Sequence, residues 1–207
     1  MIFLAGQLSI GVLIGIVVGM LAGITVHEFS HALAADRLGD HRPRALGRVS
    51  LNPLRHLDPL GTALLVLVGV GWGKPVPVAV EALRSGRTGM AVVAAAGPIA
   101  NIVVALILAG TYRIIDLAGL GGPVALQLLY TATAVNLLLA ILNLIPIPPL
   151  DGFGVVISLL PPRWEYTIRP YAGYGVVLLL LLLIVPASPL SAILGLAYPW
   201  AAVLCGL

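Results

Sequence analysis

The chain has 207 residues, of which 60% are apolar and 9% charged, with a formal net charge of +3. Soluble domains carry about 25% charged residues, so this composition, with a mean hydropathy of +1.10, excludes a soluble globular protein and predicts a single domain folded in a bilayer. The small positive charge is no sign of nucleic-acid binding, because in a membrane chain the placement of Lys and Arg reports orientation instead.

A helix needs about 20 apolar residues to cross the hydrocarbon core. Residues 5–34 supply the first such run. It has no basic flank and is longer than the roughly 7–15-residue core of a signal peptide, so it reads as a permanent span. Gly11, Gly15, Gly19 and Gly23 recur in it every four residues, the small-residue stripe that lets membrane helices approach closely. Residues 37–60 are a polar loop. Residues 60–72, "LGTALLVLVGVGW", are apolar but short, and predict a re-entrant or β-hairpin element. The following "GKPVPVAV" (73–80) reads equally as a strand with one usable edge or as a proline-rich loop.

Residues 89–112 predict a second span and 123–145 a third, interrupted at "NLIPIPPLDG" (143–152) and continued by an apolar stub over 152–160. Residues 170–187 and 190–206 predict a fourth and a fifth. The expected fold class is thus an all-α polytopic bundle of about five spans in one integral-membrane domain over 1–207. Its functional core covers about 20–160 and its C-terminal spans 170–206. Cys205 is the only cysteine, which excludes an internal disulfide and a Cys-rich metal site; it reads as a small apolar residue.

Eight of the eleven Lys and Arg lie between the first and second spans: Arg37, Arg42, Arg44, Arg48, Arg55, Lys74, Arg84 and Arg87. Arg163 and Arg169 follow the interrupted span, and only Arg113 falls on the other side. The positive-inside rule places the 37–88 region in the cytoplasm and the N-terminus outside.

Of eight acids and four histidines, only Glu28, Asp151, His27 and His31 fall within apolar spans. Ionisable groups there each cost about 2.5–3.5 kcal/mol, so they are expected to be paired, coordinated or functional. His27 and His31 are one helical turn apart and reach a single point, while Glu28 lies about 100° further round. This is the H-E-x-x-H arrangement of a zinc site, in which the carboxylate takes a proton from activated water. Catalytic zinc takes three protein ligands and keeps one position open; Asp151 is the remaining carboxylate in an apolar setting. Pro146, Pro148 and Pro149 cannot continue a helix, and irregular backbone at membrane depth is tolerated only inside protein or beside a wet cavity. His41 and His56 lie in the polar loop and read as loop braces.

On these residues the chain resembles the site-2 proteases, intramembrane zinc metalloproteases. "HEFSH" (27–31) matches that family's H-E-x-x-H, "NLIPIPPLDG" its N-x-x-P-x-P-x-L-D-G, and "AGPIANIVVA" (96–105) its G-P-x-x-N segment. "SLNPLRHLDPLG" with "GWGKPVPV" resembles the short prokaryotic branch that lacks a PDZ or CBS domain. The resemblance implies one catalytic Zn2+ held by His27, His31 and Asp151, with Glu28 as acid/base and Asn143 holding substrate or the oxyanion. It implies a membrane-protein substrate, single-span or otherwise, in a prokaryotic cell membrane, with the active site near the cytoplasmic side. The alternative is a membrane metal transporter in which His27, Glu28, His31 and Asp151 form a transit site. Such a site needs polar groups leading to both faces, and residues 5–24 offer few.

Overall fold

A computed structural model describes residues 9–58, 73–185 and 188–207. Among the described residues, three helices are long and apolar enough to cross a membrane: α1 (Ile10–Arg37), α3 (Gly86–Leu117) and α4 (Pro123–Leu144). A short α2 (Arg42–Ala45) follows α1. The C-terminal part folds as α5 (Asp151–Leu159), α6 (Pro162–Ile168), α7 (Ala172–Ile184), α8 (Pro189–Gly195) and α9 (Ala197–Cys205). The protein is an all-α integral membrane protein.

Local chemistry sets the ends of these elements. Ser9 caps α1 by accepting from the N–H of Val12, and Pro123 opens α4 where its missing N–H costs nothing. Pro146 ends α4, because the residue before a proline is driven out of helical geometry. The second expected span is longer than its apolar run: α3 extends from 86 to 117 and carries Arg87 and Arg113 near its ends, where long side chains reach the interface. Residues 162–168, which lie between the third and fourth expected spans, form α6. The expected fourth and fifth spans appear as α7 and as the pair α8 and α9, which Leu196 separates. Each is shorter than a full crossing helix. The expected re-entrant element at 60–72 lies outside the described residues. Its flanks meet at an isolated antiparallel bridge between Leu57 and Gly73. Residues 74–79 carry no strand ladder among the described residues.

The glycine stripe of α1 lies against α4. A Cβ on Gly11 would sit 2.8 Å from the carbonyl oxygen of Val124, one on Gly15 2.7 Å from that of Leu128, and one on Gly19 2.9 Å from Ala132 Cα. Only glycine permits this approach, and dispersion between close backbones replaces the hydrophobic drive that lipid cannot supply. The core is correspondingly small in side chain: Ala105, Ala134, Ala197 and Ala201 are buried together where α3, α4 and α9 meet. Large apolar residues such as Leu13, Val17, Leu106 and Ile107 face outward, as a lipid-solvated surface requires.

Candidate metal centre

α1 carries His27 and His31 on one face, and both are buried. The break after α4 returns the chain so that Asp151 opens α5, where the helix N-terminus favours a carboxylate. Asp151 Oδ2 then lies 2.9 Å from Nε2 of His27 and 3.2 Å from Nε2 of His31. The two Nε2 atoms are 3.0 Å apart. All three candidate ligand atoms fall within 4.8 Å of one another.

The protons of this cluster can be assigned from its neighbours. His27 Nδ1 is 2.6 Å from Asn101 Oδ1. The amide of Asn101 is oriented in turn, because its Nδ2 donates to Gly23 O and to Asn136 Oδ1. Asn136 Nδ2 donates to the carbonyls of Gly19 and Ala132. His27 must therefore carry its proton on Nδ1. His31 Nδ1 faces the carbonyl of Val93 at 2.7 Å and carries its proton there too. In the neutral imidazoles both Nε2 atoms are then lone-pair acceptors, and they point at a third acceptor. Asp151 Oδ2 is buried and has no assigned hydrogen-bond donor among the described residues.

Three acceptors arranged in this way are suited to hold a cation between them. Tetrahedral zinc about 2.0–2.1 Å from its ligands would separate neighbouring ligand atoms by about 3.3 Å, close to the spacing observed. The donor set, two neutral imidazoles and one carboxylate, is that of catalytic zinc with a position left open. Asn101 and Val93 orient the imidazoles from behind, as metal-binding histidines require.

Helix α3 makes this geometry possible through Gly97. A Cβ at that position would strike His31 Nε2 and lie 2.6 Å from Cε1 and Nε2 of His27. Gly97 and Asn101 both sit in "AGPIANIVVA". The matched motif singled out that segment without saying what its glycine and asparagine do. Asn136 carried no signal that distinguishes it from any polar residue in a span.

Glu28, beside the ligands in sequence, turns toward the same cavity, and a Cβ on Gly73 would lie 3.3 Å from its Oε1. The cavity measures about 890 Å³. Its polar lining is His27, Glu28, His31, Asn143 and Asp151. Among the described residues its walls are otherwise apolar, with Met20 and Ile24 from α1, Leu139 from α4, Phe153 from α5 and Leu179 from α7. An apolar cleft with a few convergent polar groups is the form of a substrate site. Asn143 donates from Nδ2 to Leu139 O at 3.0 Å. His41 and His56 stand apart from the cluster: His41 Nδ1 pairs with Asp36 at 2.9 Å, and His56 Nε2 bonds the carbonyl of Ser50 at 2.6 Å.

Residues 111–184, which include Asn143 and Asp151, match the model of Peptidase family M50. The chain is 33% identical over 177 residues to a Bacillus subtilis protein named "Putative zinc metalloprotease YwhC", covering 83% of this chain and 80% of that one. It is 34% identical over 185 residues to "Putative zinc metalloprotease Rip2" of Mycolicibacterium smegmatis, covering 86% and 70%. The Mycobacterium tuberculosis protein of the same name is 33% identical over 183 residues, covering 85% and 69%. No solved structure matches the chain. With relatives of this similarity covered over most of their length, and a donor set fit for zinc between its membrane helices, the chain belongs to peptidase family M50, the site-2 proteases, and is a membrane zinc metalloprotease.

Proposed function

We propose that the protein is an intramembrane endopeptidase that hydrolyses a peptide bond in or near a transmembrane segment of another membrane protein, as a step of regulated intramembrane proteolysis. The observation that carries this reading is the depth of the donor set. His27 lies 17 residues beyond Ile10 on α1, about 26 Å along the axis. That is near the inner boundary of a hydrocarbon core about 30 Å thick. An apolar cavity at that depth accepts an apolar segment directly from lipid.

In this reading His27, His31 and Asp151 hold the zinc. When bound, zinc polarises the scissile carbonyl and lowers the pKa of water. Glu28 reaches the same cavity without being a ligand. Its carboxylate accepts the proton of the attacking water and passes it to the leaving amine. Asn143, on the cavity wall, has an amide suited to a peptide carbonyl or the developing oxyanion. Asn101 and Val93 hold the imidazoles with Nε2 forward. The eight basic residues from Arg37 to Arg87, at and between the facing ends of the first two spans, support a cytoplasmic site and an external N-terminus. Residues 1–207 act as a single protease domain in this reading.

The test is incubation of the purified full chain, in detergent or liposomes, with single-span membrane proteins, with and without a chelator. Cleavage mapped to the transmembrane region, lost with chelator and restored by zinc, is the expected result. Cleavage confined to soluble segments, or metal flux across liposomes without cleavage, would overturn the reading.

A further inference from the structure

We propose that a separate cavity of about 420 Å³, lined by Arg48, Arg55 and Lys74, binds the phosphate headgroup of an anionic phospholipid. Among the described residues lining it, three cations face a single carboxylate, Asp58.

Arg48 organises the site. It is 5% exposed, although it lies in the polar loop between α1 and α3. Its terminal nitrogens donate to the carbonyls of Arg55 and Lys74. This clamps together the two segments that carry the other two cations. Its Nε has no acceptor among the described residues. Neutral carbonyls satisfy donors but do not neutralise a buried charge, which is costly when uncompensated. Glu28 attracts Arg48 through space; an anion in the cavity would compensate the remaining positive field.

The turn at Gly47 packs against Arg55 beside the cavity. Gly47 has φ +68, and a Cβ there would lie 3.1 Å from Arg55 Nη1. A side chain at 47 would be strained by the backbone and crowded by the guanidinium. The absence of one lets the chain lie directly against Arg55.

Two further observations favour a lipid over a free anion. Leu46, Leu51 and Leu54 are 58%, 61% and 79% exposed, and Leu46 and Leu54 line the cavity. Cations beside bare leucines match the chemistry of a phospholipid, with a phosphate at one end and acyl chains at the other. An inorganic ion gains nothing from the leucines. The depth also fits. Gly73, bridged to Leu57, lies against Ile24 and Glu28 of α1. Ile24 and Glu28 are about 21 and 27 Å along the helix from Ile10, so Arg55 and Lys74 sit where the hydrocarbon gives way to headgroups.

The full chain would be reconstituted in nanodiscs of phosphatidylcholine alone or mixed with phosphatidylglycerol. Retained lipid would be read by native mass spectrometry, and stability by the thermal unfolding midpoint. We expect preferential retention of phosphatidylglycerol and a higher Tm in its presence, both weakened by salt. Arg55→Gln with Lys74→Gln should lower phosphatidylglycerol affinity by about tenfold or more. Arg163→Gln, an exposed cation outside the cavity, should not. Leu51→Ser with Leu54→Ser, which leaves every cation in place, should also weaken retention. Undiminished phosphatidylglycerol retention in both double variants would overturn the proposal. Stabilisation of the wild type in pure phosphatidylcholine by inorganic phosphate, equal to that by the lipid, would show a free-anion site and overturn it as well.

Discussion

Asn101 Oδ1 lies 2.6 Å from Nδ1 of His27, and this contact decides which imidazole nitrogen faces Asp151. The amide is held in turn by Gly23 and Asn136, so the orientation of a candidate metal ligand on α1 depends on side chains from α3 and α4. Asn101→Leu keeps the side-chain volume and removes the acceptor. Zinc affinity, measured by chelator competition, should fall about 10- to 100-fold. Unchanged affinity would mean that His27 needs no such brace.

Gly97 tests the packing of the centre by itself. Gly97→Ala inserts a methyl group where the histidine rings lie, so it should reduce zinc binding to the level of a ligand deletion. Gly110→Ala, on the same helix, meets nothing within 4 Å. It should be neutral or stabilising by up to about 1 kcal/mol. Metal content and unfolding temperature of the two variants separate a local clash from a general intolerance of α3 to alanine.

Glu28 and Asp151 are expected to fail in different ways. Glu28→Gln should keep its zinc and lose about 10²–10⁴-fold in hydrolysis, the range for a positioned acid/base group. Asp151→Ala should lose the metal itself, since it removes one of the three proposed protein ligands. Zinc content after purification, measured beside activity, distinguishes the two. Equal metal loss in both variants would make Glu28 a ligand.

Asp40 gives a pH-dependent prediction. It is buried, accepts from Arg42 Nε at 2.8 Å and Nη2 at 2.6 Å, and accepts from the N–H of Ala79 at 3.0 Å. The Arg42 guanidinium is the main cause that holds its carboxyl down, from 3.8 to about 2. The folded protein therefore favours the ionised form. The stabilisation is fully present above the unfolded pKa and is lost as the pH falls through the folded value. In a chaotrope series, Asp40→Asn should be less stable than wild type at pH 7. That gap should shrink below about pH 4 and close near pH 2. A gap that did not vary with pH would assign the effect of Asp40 to shape alone.

Much of the centre was legible in the chain itself, because its signals are local. His27 and His31 share a helix face at four-residue spacing, and α1 delivers them as that spacing requires. The cost of ionisable groups in lipid marked Glu28 and Asp151, and the prolines before Asp151 marked the end of α4. The glycine stripe foretold a close helix contact, and composition alone excluded a soluble fold.

Tertiary structure decided the rest. No spacing rule links His27 to Asn101 across 74 residues, or identifies Gly97 as the floor beneath both rings. Those relations exist only once α1, α3 and α4 are packed. The length of the C-terminal helices was likewise not readable from hydropathy, because an apolar run reports what lipid tolerates and not where the helical hydrogen bonds stop. The sequence by itself determined which side chains could bind a metal in a membrane. Packing determined which nitrogen each histidine presents, because a tautomer is set by the neighbour behind the ring, and that neighbour comes from another helix.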